Sequence, residues 1–488
     1  MESGRLPWWQ LGLVIAVALA LRFYRIGEEN FWIDEVLHVE SARRPVGEIV
    51  RGAAPAADGG PLTSLVTRFL HLDASEAAAR APAAVSGTAT VAASTMLATY
   101  LLPSPGPLAV GVLLATSPAH VWYSQEARWY GPWILLTVLS YLALFHALER
   151  GSRRAWGCYA VAAILGIYTF VLSVFIVAAQ VVTIWWYGRR TGIRMRLLPA
   201  SLAGRLALAS ILAPLVWLVI SNVDANTGTP RPPMLATLPY TAYVFAVGTS
   251  LGPTIAYLHD YPSIARVLVD YPGIVVVAIL FAIPLVAGLV RVLRDETLRG
   301  LIVPWLFVPP FLVLAMSFVT NVVYEVRYVL SSLPAFVIVL TAGLLSLRPS
   351  ALRTTVGTGV LACIIGSLEN YYWNPLYDRE DVRAAIHAID VAEQRDSPVV
   401  VVGQINTPAR WYGRHLPLEI VHSCAPEGAY DPLARERITS AAAMWVLAGR
   451  DWTGEASRCL TRLAPDWEPA QHERFKGVEL WRLERRAG

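Results

Sequence analysis

The sequence predicts a polytopic α-helical membrane protein that carries a small C-terminal α/β domain. Of its 488 residues, 55% are hydrophobic and 16% are charged, and the mean hydropathy is +0.47. Soluble domains hold roughly 25% charged residues, so this composition excludes an ordinary soluble protein. Apolar runs close to the ~20 residues that cross a bilayer recur through the first three quarters of the chain. The composition becomes more polar after Trp373.

The apolar runs predict about 11 membrane helices. Their ranges are 8–26, 82–102, 106–122, 131–148, 155–170, 172–187, 198–220, 271–291, 300–320, 328–347 and 354–371. The first run, LGLVIAVALALRFYRI, has a longer apolar core than a secretory signal and lacks an Ala-x-Ala exit. We therefore expect it to be an uncleaved anchoring helix.

Arginines in the short loops predict the orientation, because such loops stay in the cytoplasm. With 11 spans, these loops all fall on the side of the N-terminus. The arginines are Arg5, Arg150, Arg153, Arg154, Arg189, Arg190, Arg194, Arg196, Arg291, Arg294, Arg299, Arg348 and Arg353. The prediction is a bacterial inner-membrane protein with a cytoplasmic N-terminus and a periplasmic or extracellular C-terminal domain. The outer face then receives residues 27–81, 122–130, 221–270, 321–327 and the chain after 372.

Two outer segments of the predicted membrane domain, residues 1–372, are long enough to hold structure of their own. In the first outer loop, 27–81, the segments DEVLHVESARRPVGEIV and PLTSLVTRFLHL have the apolar spacing of interfacial helices. The intervening AAPAADGGP is typical of a flexible turn. Residues 221–270, rich in Pro, Gly and Tyr, are expected to lie on the membrane surface beside the site.

Residues 373–488 are predicted to form the α/β domain. DREDVRAAIHAIDVAEQRDSPVVVVG indicates an amphipathic helix followed by a buried strand, and AAAMWVLAG and VELWRLE indicate further strands. Cys424 and Cys459 lie in this domain, where an oxidising compartment would allow one disulfide; two separate thiols are an equal alternative. Cys158 and Cys363 fall in predicted membrane helices, where we expect packing roles.

Three clusters of ionisable and aromatic residues are predicted on the outer face. They are Trp32-Ile33-Asp34-Glu35 with Asp58 in the same loop, then Glu126, Arg128 and Tyr130 in YSQEARWYG, then Glu325, Arg327 and Tyr328 in YEVRYVLSSLPAF. Each cluster alone fits an interfacial anchor or a simple ion pair. Charged groups at a membrane boundary are costly unless they are paired or hydrated. Their coincidence on one face therefore favours a shared functional site.

The residue types in these clusters suit chemistry on a phosphate-linked substrate. A carboxylate can act as a general base on an acceptor hydroxyl. Arginine binds phosphate in a bidentate manner and stabilises the charge on a phosphate leaving group. A carboxylate and arginines together fit sugar transfer from a polyprenyl-phosphate donor. They also fit a lipid-linked sugar transporter or a metal-dependent phosphoryl transferase, and none requires a nucleic-acid partner.

The order and spacing of several segments resemble glycosyltransferase family 39, the polyprenyl-phosphate-dependent glycosyltransferases of the GT-C fold. That family includes protein O-mannosyltransferases and aminoarabinose transferases. The segments are FWIDE, DGGPL, RAPAAVSG, SPAHVWYSQEARWYGPW, GIYTFVLSVF and VRYVLSSLPAF. The resemblance covers nearly all of the membrane part. It implies an inverting transfer from a polyprenyl-phosphate sugar to a hydroxyl of a protein, lipid or glycan at the outer membrane face.

The resemblance also implies roles for the residues that match its motifs. Asp34 is the expected general base, Glu35 orients it or holds the first loop, and Glu126 is a further acid of the site. Arg128 and Arg327 are the expected ligands of the donor phosphate, and Tyr130 and Tyr328 pack or hydrogen-bond beside it. Asp58 matches a position that helps to bind a divalent metal. Segment 221–270 is expected to cover the site.

Three positions depart from the family pattern. Gly59 and Gly60 stand where the family often has Lys or His before proline, and Phe170 stands where many bacterial members carry His. No cofactor is therefore established from the sequence, and a divalent metal stays open. The aminoarabinose branch is not favoured, because the loop motif and the tail differ from it. The alternatives kept are a lipid-linked sugar transporter and a non-catalytic assembly protein of the cell envelope.

Overall fold

The computed structural model describes eleven stretches of the chain. They are residues 6–51, 59–191, 234–254, 257–258, 263–320, 322–392, 397–420, 437–438, 440–451, 454–463 and 465–486. Predicted helix 198–220, residues 221–233 of the predicted surface segment 221–270, Asp58 and Cys424 lie outside these stretches. The predictions made for them are therefore not tested by the fold.

The described part of the first 373 residues is helical. Its helices are α1 (Trp8–Phe23), α2 (Ile33–Arg43), α3 (Val46–Arg51), α4 (Pro61–Phe69), α5 (Glu76–Leu101), α6 (Gly106–Thr116), α7 (Pro118–Ser124), α8 (Tyr130–Arg150), α9 (Arg153–Thr169), α10 (Ser173–Thr191), α11 (Met234–Val247), α12 (Ile264–Asp270), α13 (Gly273–Arg294), α14 (Glu296–Val319), α15 (Leu333–Ser346) and α16 (Ser350–Trp373). A 3₁₀ helix, Val326–Ser332, precedes α15.

Five helical segments of the described chain are long and apolar enough to cross a membrane. They are Tyr130–Arg150, Gly273–Arg294, Glu296–Phe318, Val326–Ser346 and Ser350–Trp373. Shorter apolar helices accompany them at Trp8–Phe23, Gly106–Thr116 and Ala236–Val247. The helical membrane architecture is thereby confirmed, whereas the count of 11 spans stays a prediction.

One predicted helix, 106–122, is in fact two helices that break at Ser117. The cause is Pro118, which begins α7 and cannot continue the hydrogen-bond ladder of α6. Arg22 of α1 satisfies the open end of α6, donating to the carbonyls of Leu114 and Ala115 at 3.2 and 3.0 Å. After the break the chain changes direction. The link that follows α7 therefore lies beside the C-terminal end of α1, where Gln125 bonds the Arg22 and Tyr24 carbonyls.

The helices of the bundle pack at very short distances where glycines face each other. Gly288 of α13 and Gly343 of α15 are such a pair, since a Cβ on Gly343 would lie 1.6 Å from the Pro284 carbonyl oxygen. Elsewhere, Tyr141 of α8 stacks on Trp305 of α14 with ring centroids 4.0 Å apart. These contacts fix α8, α13, α14 and α15, and with them the 3₁₀ helix at one end of the bundle.

The C-terminal part forms a five-stranded sheet with helices on both faces. Its strands and helices are α17 (Val382–Asp390), β1 (Val399–Gly403), α18 (Asn406–Tyr412), β2 (Leu418–Ile420), β3 (Ala443–Gly449), α19 (Glu455–Leu463), β4 (Trp467–Phe475) and β5 (Val478–Arg485). The strand order is β2-β1-β3-β5-β4, parallel from β2 to β3 and antiparallel from β3 to β4. The helix and the three strands predicted here are confirmed; the boundary at 372 stays a prediction.

Valines of β1 alternate between two apolar layers of this sheet. Val399 and Val401 pack with α17 and α18, while Val400 and Val402 pack with α19. Cys459 of α19 is buried in the second layer and is disulfide-bonded, and Cys158 and Cys363 are free. The sequence left a Cys424–Cys459 disulfide and two separate thiols as equal alternatives, and Cys424 lies outside the described residues.

The sheet rests against the end of the bundle at which α1 stops and α2 starts, called here the α2 end. The Phe31 backbone N–H donates to the Tyr412 hydroxyl at 2.8 Å, and Asn30 donates to Asp381 at 3.0 Å. Arg383 pairs with Glu76 at 3.1 Å. The C-terminal part therefore adds side chains to the surface on which the predicted site lies.

Candidate active site

All three charged clusters predicted from the sequence meet at the α2 end of the bundle. The first turn of α2 supplies Asp34 and Glu35, the link between α7 and α8 supplies Glu126 and Arg128, and the 3₁₀ helix supplies Arg327. Asp58 is the one predicted site residue that lies outside the described residues. The site thus draws on segments almost 300 residues apart in sequence.

The carboxylates of Asp34 and Glu35, in the first turn of α2, point in different directions. Successive residues of an α-helix are about 100° apart around its axis. Glu35, the third residue of the helix, also folds back onto the Trp32 backbone N–H at 3.4 Å, as in a capping box. As a result, Asp34 and Glu35 have different partners.

One set of contacts, called the Asp34 cluster, consists of Asp34, Arg128 and Arg327. Arg327 Nη1 donates to Asp34 Oδ2 at 2.6 Å, and Arg128 Nη2 lies 3.7 Å from the same oxygen. Arg128 Nη1 also donates to the Asp34 backbone carbonyl at 3.0 Å. The Asp34 side chain is 18% exposed and that of Arg327 is 23% exposed. This cluster therefore pairs a carboxylate with two cations and keeps access to solvent.

The second set, called the Glu35 cluster, consists of Glu35, Arg80, Glu126 and Arg379. Arg80 Nε and Nη2 each donate to a different oxygen of Glu35 at 2.8 Å. Arg379 Nη1 and the Ala127 backbone N–H add bonds of 2.5 and 2.7 Å. The Glu35 side chain is 0% exposed. Although burial raises its pKa, Arg80 and Arg379 lower it to about 2, so Glu35 is ionised at neutral pH.

Arg80 also fixes the turn that joins α1 to α2. Its remaining guanidinium hydrogens go to the carbonyl oxygens of Ile26, Glu29 and Asn30, each at 2.9 Å. Its five donors match five acceptors, which offsets the cost of burying the charge. Glu35 and Arg80 therefore hold the first outer loop on the bundle.

Glu126 has a different environment from Glu35. Its Oε1 accepts from Trp122 Nε1 at 2.7 Å and from Arg379 Nη2 at 3.2 Å, while the buried Oε2 has no hydrogen-bond partner among the described residues. Burial raises the pKa of Glu126 to about 7, since Arg379 compensates only in part. Glu126 can therefore gain or lose a proton near neutral pH.

Aromatic rings line the side of the Asp34 cluster that faces the bundle. Trp129 stacks on Phe170 with centroids 3.5 Å apart, and Tyr328 lies 5.9 Å from Phe170. The Tyr130 ring is buried and 4.1 Å from Trp129, and its hydroxyl has no partner among the described residues. These rings give the two arginines an apolar wall.

The same rings explain why glycine stands at positions 59 and 60. Gly59 has a positive φ of 78°, and a Cβ there would lie 2.1 Å from Trp129 Cδ1. A Cβ on Gly60 would lie 2.0 Å from the Tyr168 carbonyl oxygen. No side chain fits at either position, so the Lys or His of the family pattern has no equivalent here.

The described residues do not form a metal centre of their own. No group of three or more His, Cys, Asp or Glu side chains among them is arranged to hold an ion. His38, one turn after Asp34, bonds Thr67 at 3.1 Å, and burial together with Arg128 lowers its pKa to about 3. A metal at Asp58, which lies outside the described residues, stays a prediction.

A small open cleft lies beside the Glu35 cluster. It is lined by Arg25, Glu28, Glu29, Trp122, Gln125, Tyr371, Tyr372, Tyr377 and Arg379. Gln125 closes the end of α1, donating to the carbonyls of Arg22 and Tyr24 at 3.0 and 2.8 Å. The cleft therefore borders Glu126 through Trp122 and Arg379, which both donate to that carboxylate.

Two arginines of the site, Arg80 and Arg379, were not predicted from the sequence. Arg80 had a signal, because it is a lone cation in the otherwise apolar start of α5, EAAARAPAAVSG. Arg379 had no such signal in the sequence, because it lies in the charge-rich stretch DREDVR, which resembles a solvated linker. Only the docking of the C-terminal part brings it to the acids.

Comparisons with known proteins agree on the fold. No protein-family model matches the sequence, and no curated protein is significantly similar to it. The apo structure of ArnT from Cupriavidus metallidurans aligns over 97% of this chain and 98% of its own, at 14% identity and a TM-score of 0.55. The structure of the same protein bound to undecaprenyl phosphate aligns over the same shares at 12% identity and a TM-score of 0.54.

A third structure is similar over the whole chain. Arabinofuranosyltransferase AftD from Mycobacteria aligns over 99% of this chain and 42% of its own, at 15% identity and a TM-score of 0.50. The chain is therefore a multi-pass membrane protein with the GT-C fold. At these identities the likeness concerns the fold, and the residues of the site carry the functional argument.

Proposed function

We propose that this protein is an inverting glycosyltransferase that moves a sugar from a polyprenyl-phosphate donor to an acceptor hydroxyl. The observation that carries the proposal is the Asp34 cluster, in which a partly exposed carboxylate meets two arginines from distant segments. The fold supports the same class of donor, because ArnT, a protein of this fold, binds undecaprenyl phosphate.

In the proposed reaction, Asp34 acts as the general base. An acceptor hydroxyl loses its proton to the Asp34 carboxylate as its oxygen attacks the anomeric carbon. The bond between that carbon and the phosphate oxygen breaks, and its electron pair stays on the polyprenyl phosphate. Arg128 and Arg327 stabilise the resulting negative charge. Because attack comes from the face opposite the leaving group, the anomeric configuration inverts.

Arg327 couples donor binding to the release of the base. Without a donor, Arg327 Nη1 lies 2.6 Å from Asp34 Oδ2 and occupies an oxygen that the acceptor proton needs. A donor phosphate competes for the same guanidinium, since arginine binds phosphate as readily as carboxylate. Asp34 then becomes available once a donor is in place, which limits unproductive chemistry in the empty site.

The proposal places the α2 end outside the cytoplasm of a bacterial inner membrane. The arginines in the last turns of α8, α10 and α13 lie at the opposite end of the bundle, where Arg190 of α10 bonds Thr297 of α14 at 2.7 Å. That arrangement agrees with the distribution of positive charge expected of cytoplasmic loops. The proposed acceptor is a hydroxyl of a protein, lipid or glycan.

A reconstitution experiment separates this function from the transporter alternative. Purified protein in liposomes is given polyprenyl-phosphate sugars labelled in the sugar, together with a membrane extract that supplies acceptors. Transfer releases unlabelled polyprenyl phosphate and attaches the label to an acceptor with inverted configuration. A transporter would move the intact donor across the bilayer. Donors that all stay intact and on their own side would contradict both functions.

A further inference from the structure

Arg379 links the C-terminal part of the chain to both buried acids of the site. It lies between α16 and α17, yet its side chain is only 11% exposed. Nη1 is 2.5 Å from Glu35 Oε2, and Nη2 is 3.2 Å from Glu126 Oε1. The guanidinium also lies 5.9 Å from the ring centres of Trp32 and Trp122. Among the described residues, no other residue after α16 has a salt bridge to a described residue of the predicted site.

The backbone around Arg379 is fixed from two sides. Its N–H donates to Glu29 Oε2 at 2.9 Å, which ties it to the turn before α2. The Asp381 N–H donates to the Lys476 carbonyl at 2.8 Å, which ties it to the sheet. Arg450, which follows β3, pairs with Glu380 at 2.6 Å. The position of the guanidinium therefore depends on the docked sheet.

The two acids depend on Arg379 to different degrees. Glu35 keeps two bonds from Arg80 and one from Ala127 when Arg379 is removed. Glu126 has no other salt-bridge partner among the described residues, and its second oxygen is buried without a bond. Arg379, Glu35 and Asp34 are charged groups that act on Glu126, and the titratable hydroxyls of Tyr123 and Tyr130 also interact with it. Glu35, Glu126, Tyr371 and Glu29 act on Arg379. The charge on Glu126 therefore follows the placement of Arg379.

We infer that Arg379 is a positioning residue of the reaction, through which the C-terminal part orients Glu126 and stabilises its ionised form. The C-terminal part is then a component of the active site and more than a cap on the bundle. This inference rests on the proposed function, because it gives Glu126 a part in the transfer. It also predicts a property of Glu126 that can be measured without any transfer.

The test compares Arg379→Gln with Arg383→Gln. Arg383 is a matched control, because it also joins this segment to an acid of the bundle, Glu76, but its side chain is 44% exposed and bonds Glu76 and the Glu28 carbonyl, neither of which is a site residue. Transfer is measured against pH for wild type, both variants and Arg379→Lys. An opposite charge at hydrogen-bond distance lowers an acid's pKa by about one unit or more. The acid limb is the part of the pH–rate profile in which transfer rises as the pH increases. In Arg379→Gln, the acid limb should therefore lie about one pH unit higher than in wild type.

The conservative variants decide between a positioning role and a merely structural one. Arg379→Lys should keep the limb near its wild-type position, and the Arg383→Gln profile should superimpose on wild type. In a Glu126→Gln background, Arg379→Gln should no longer shift the limb. A profile for Arg379→Gln that is lowered uniformly at every pH would overturn the inference. If Arg379→Gln does not fold, a wild-type limb that survives unchanged in Glu126→Gln overturns it equally.

An infrared titration keeps this inference separate from the proposed function. The carbonyl stretch of protonated Glu126 is identified as the band that is missing from Glu126→Gln. In Arg379→Gln, this band should persist about one pH unit higher than in wild type. A protein that transfers no sugar but shows this shift would refute the proposed function and retain the coupling. A band that titrates identically in both proteins would refute the coupling, whatever the activity.

Discussion

The two carboxylates that begin α2 are adjacent in sequence but belong to different kinds of region. Glu35 is fully buried, and its oxygens accept from Arg80, Arg379 and a backbone N–H. The Asp34 side chain is 18% exposed, and its Oδ2 lies 2.6 Å from Arg327 Nη1 and 3.7 Å from Arg128 Nη2. The Glu35 cluster has the saturated bonding of a structural centre, and the Asp34 cluster has the access that a substrate needs. Exposure and bonding, more than residue type, separate the two roles.

The largest effect is expected from removing the base of the Asp34 cluster. Asp34→Asn keeps the size of the side chain but cannot take the acceptor proton. Loss of a general base costs roughly 10³-fold in rate, so transfer by this variant should fall by about that factor. Its melting temperature should stay close to wild type, because the side chain is partly exposed. Initial rates of transfer at equal protein level check this expectation, and a rate above a tenth of wild type would contradict it.

The next effect concerns stability and comes from the Glu35 cluster. Glu35→Gln leaves the buried guanidinium of Arg80 without its counter-charge and leaves Arg379 with Glu126 alone, which costs at least about 3 kcal/mol. Thermal unfolding in detergent should therefore show a much lower midpoint. Glu325→Gln is the matched control: this acid pairs with Arg327 at the surface and should matter by less than about 1 kcal/mol. Equal midpoints for the two variants would refute the contrast.

The lowered pKa of Glu35 also predicts how the stability of the fold depends on pH. Because its pKa falls from 4.5 in the unfolded chain to about 2 in the folded protein, its ionised form stabilises the fold. That contribution is fully present above about pH 4.5 and is lost as the pH falls toward 2. Acid unfolding of Glu35→Gln should lack this component.

Glu126 is expected to make the stability of the fold depend on pH in the opposite direction. Its folded pKa of about 7 lies above the unfolded value of 4.5, so the protonated form is favoured by the fold. The stability it contributes is present below about pH 4.5 and is lost as the pH rises through 7, by up to about 3 kcal/mol. Melting curves between pH 5 and 8, set against Glu126→Gln, measure this component. A slope that is the same in both proteins would show that Glu126 does not titrate there.

The smallest expected effect distinguishes the geometry of Arg327 from its charge. Arg327→Lys keeps the positive charge but loses the fork that binds a phosphate through two bonds. The KM for the donor should rise roughly 10-fold to 100-fold, since about one to two such bonds are lost. Initial rates at varied donor concentration test this. An unchanged KM would place the donor phosphate elsewhere.

Much of the fold could be predicted from apolar runs alone. Helix α13 was expected at 271–291 and is found at Gly273–Arg294, because Pro272 and Arg294 bound a continuous apolar stretch. The break between α6 and α7 was missed, because apolarity continues through Pro118 while the hydrogen-bond ladder does not. The count of spans could not be settled in the same way, since several helices, such as α6, are too short to cross alone.

The site could be predicted where a charge stood out against apolar neighbours. Asp34, Arg128 and Arg327 lie beside membrane helices, where an ionisable group needs a partner, and the fold does bring them together. Arg379 lies among other charges, so its sequence context carried no comparable signal. Its role depends on how the sheet docks on the bundle, which is a long-range property that local patterns do not contain.

The central claim is that the Asp34 cluster performs the reaction and the Glu35 cluster holds the structure. One paired measurement tests it most directly: transfer rate and melting temperature for wild type, Asp34→Asn and Glu35→Gln, with all proteins purified in parallel. We predict that Asp34→Asn loses transfer and keeps its melting temperature, and that Glu35→Gln melts much earlier. An Asp34→Asn protein that transfers sugar at the wild-type rate, with an intact melting temperature, would contradict the account.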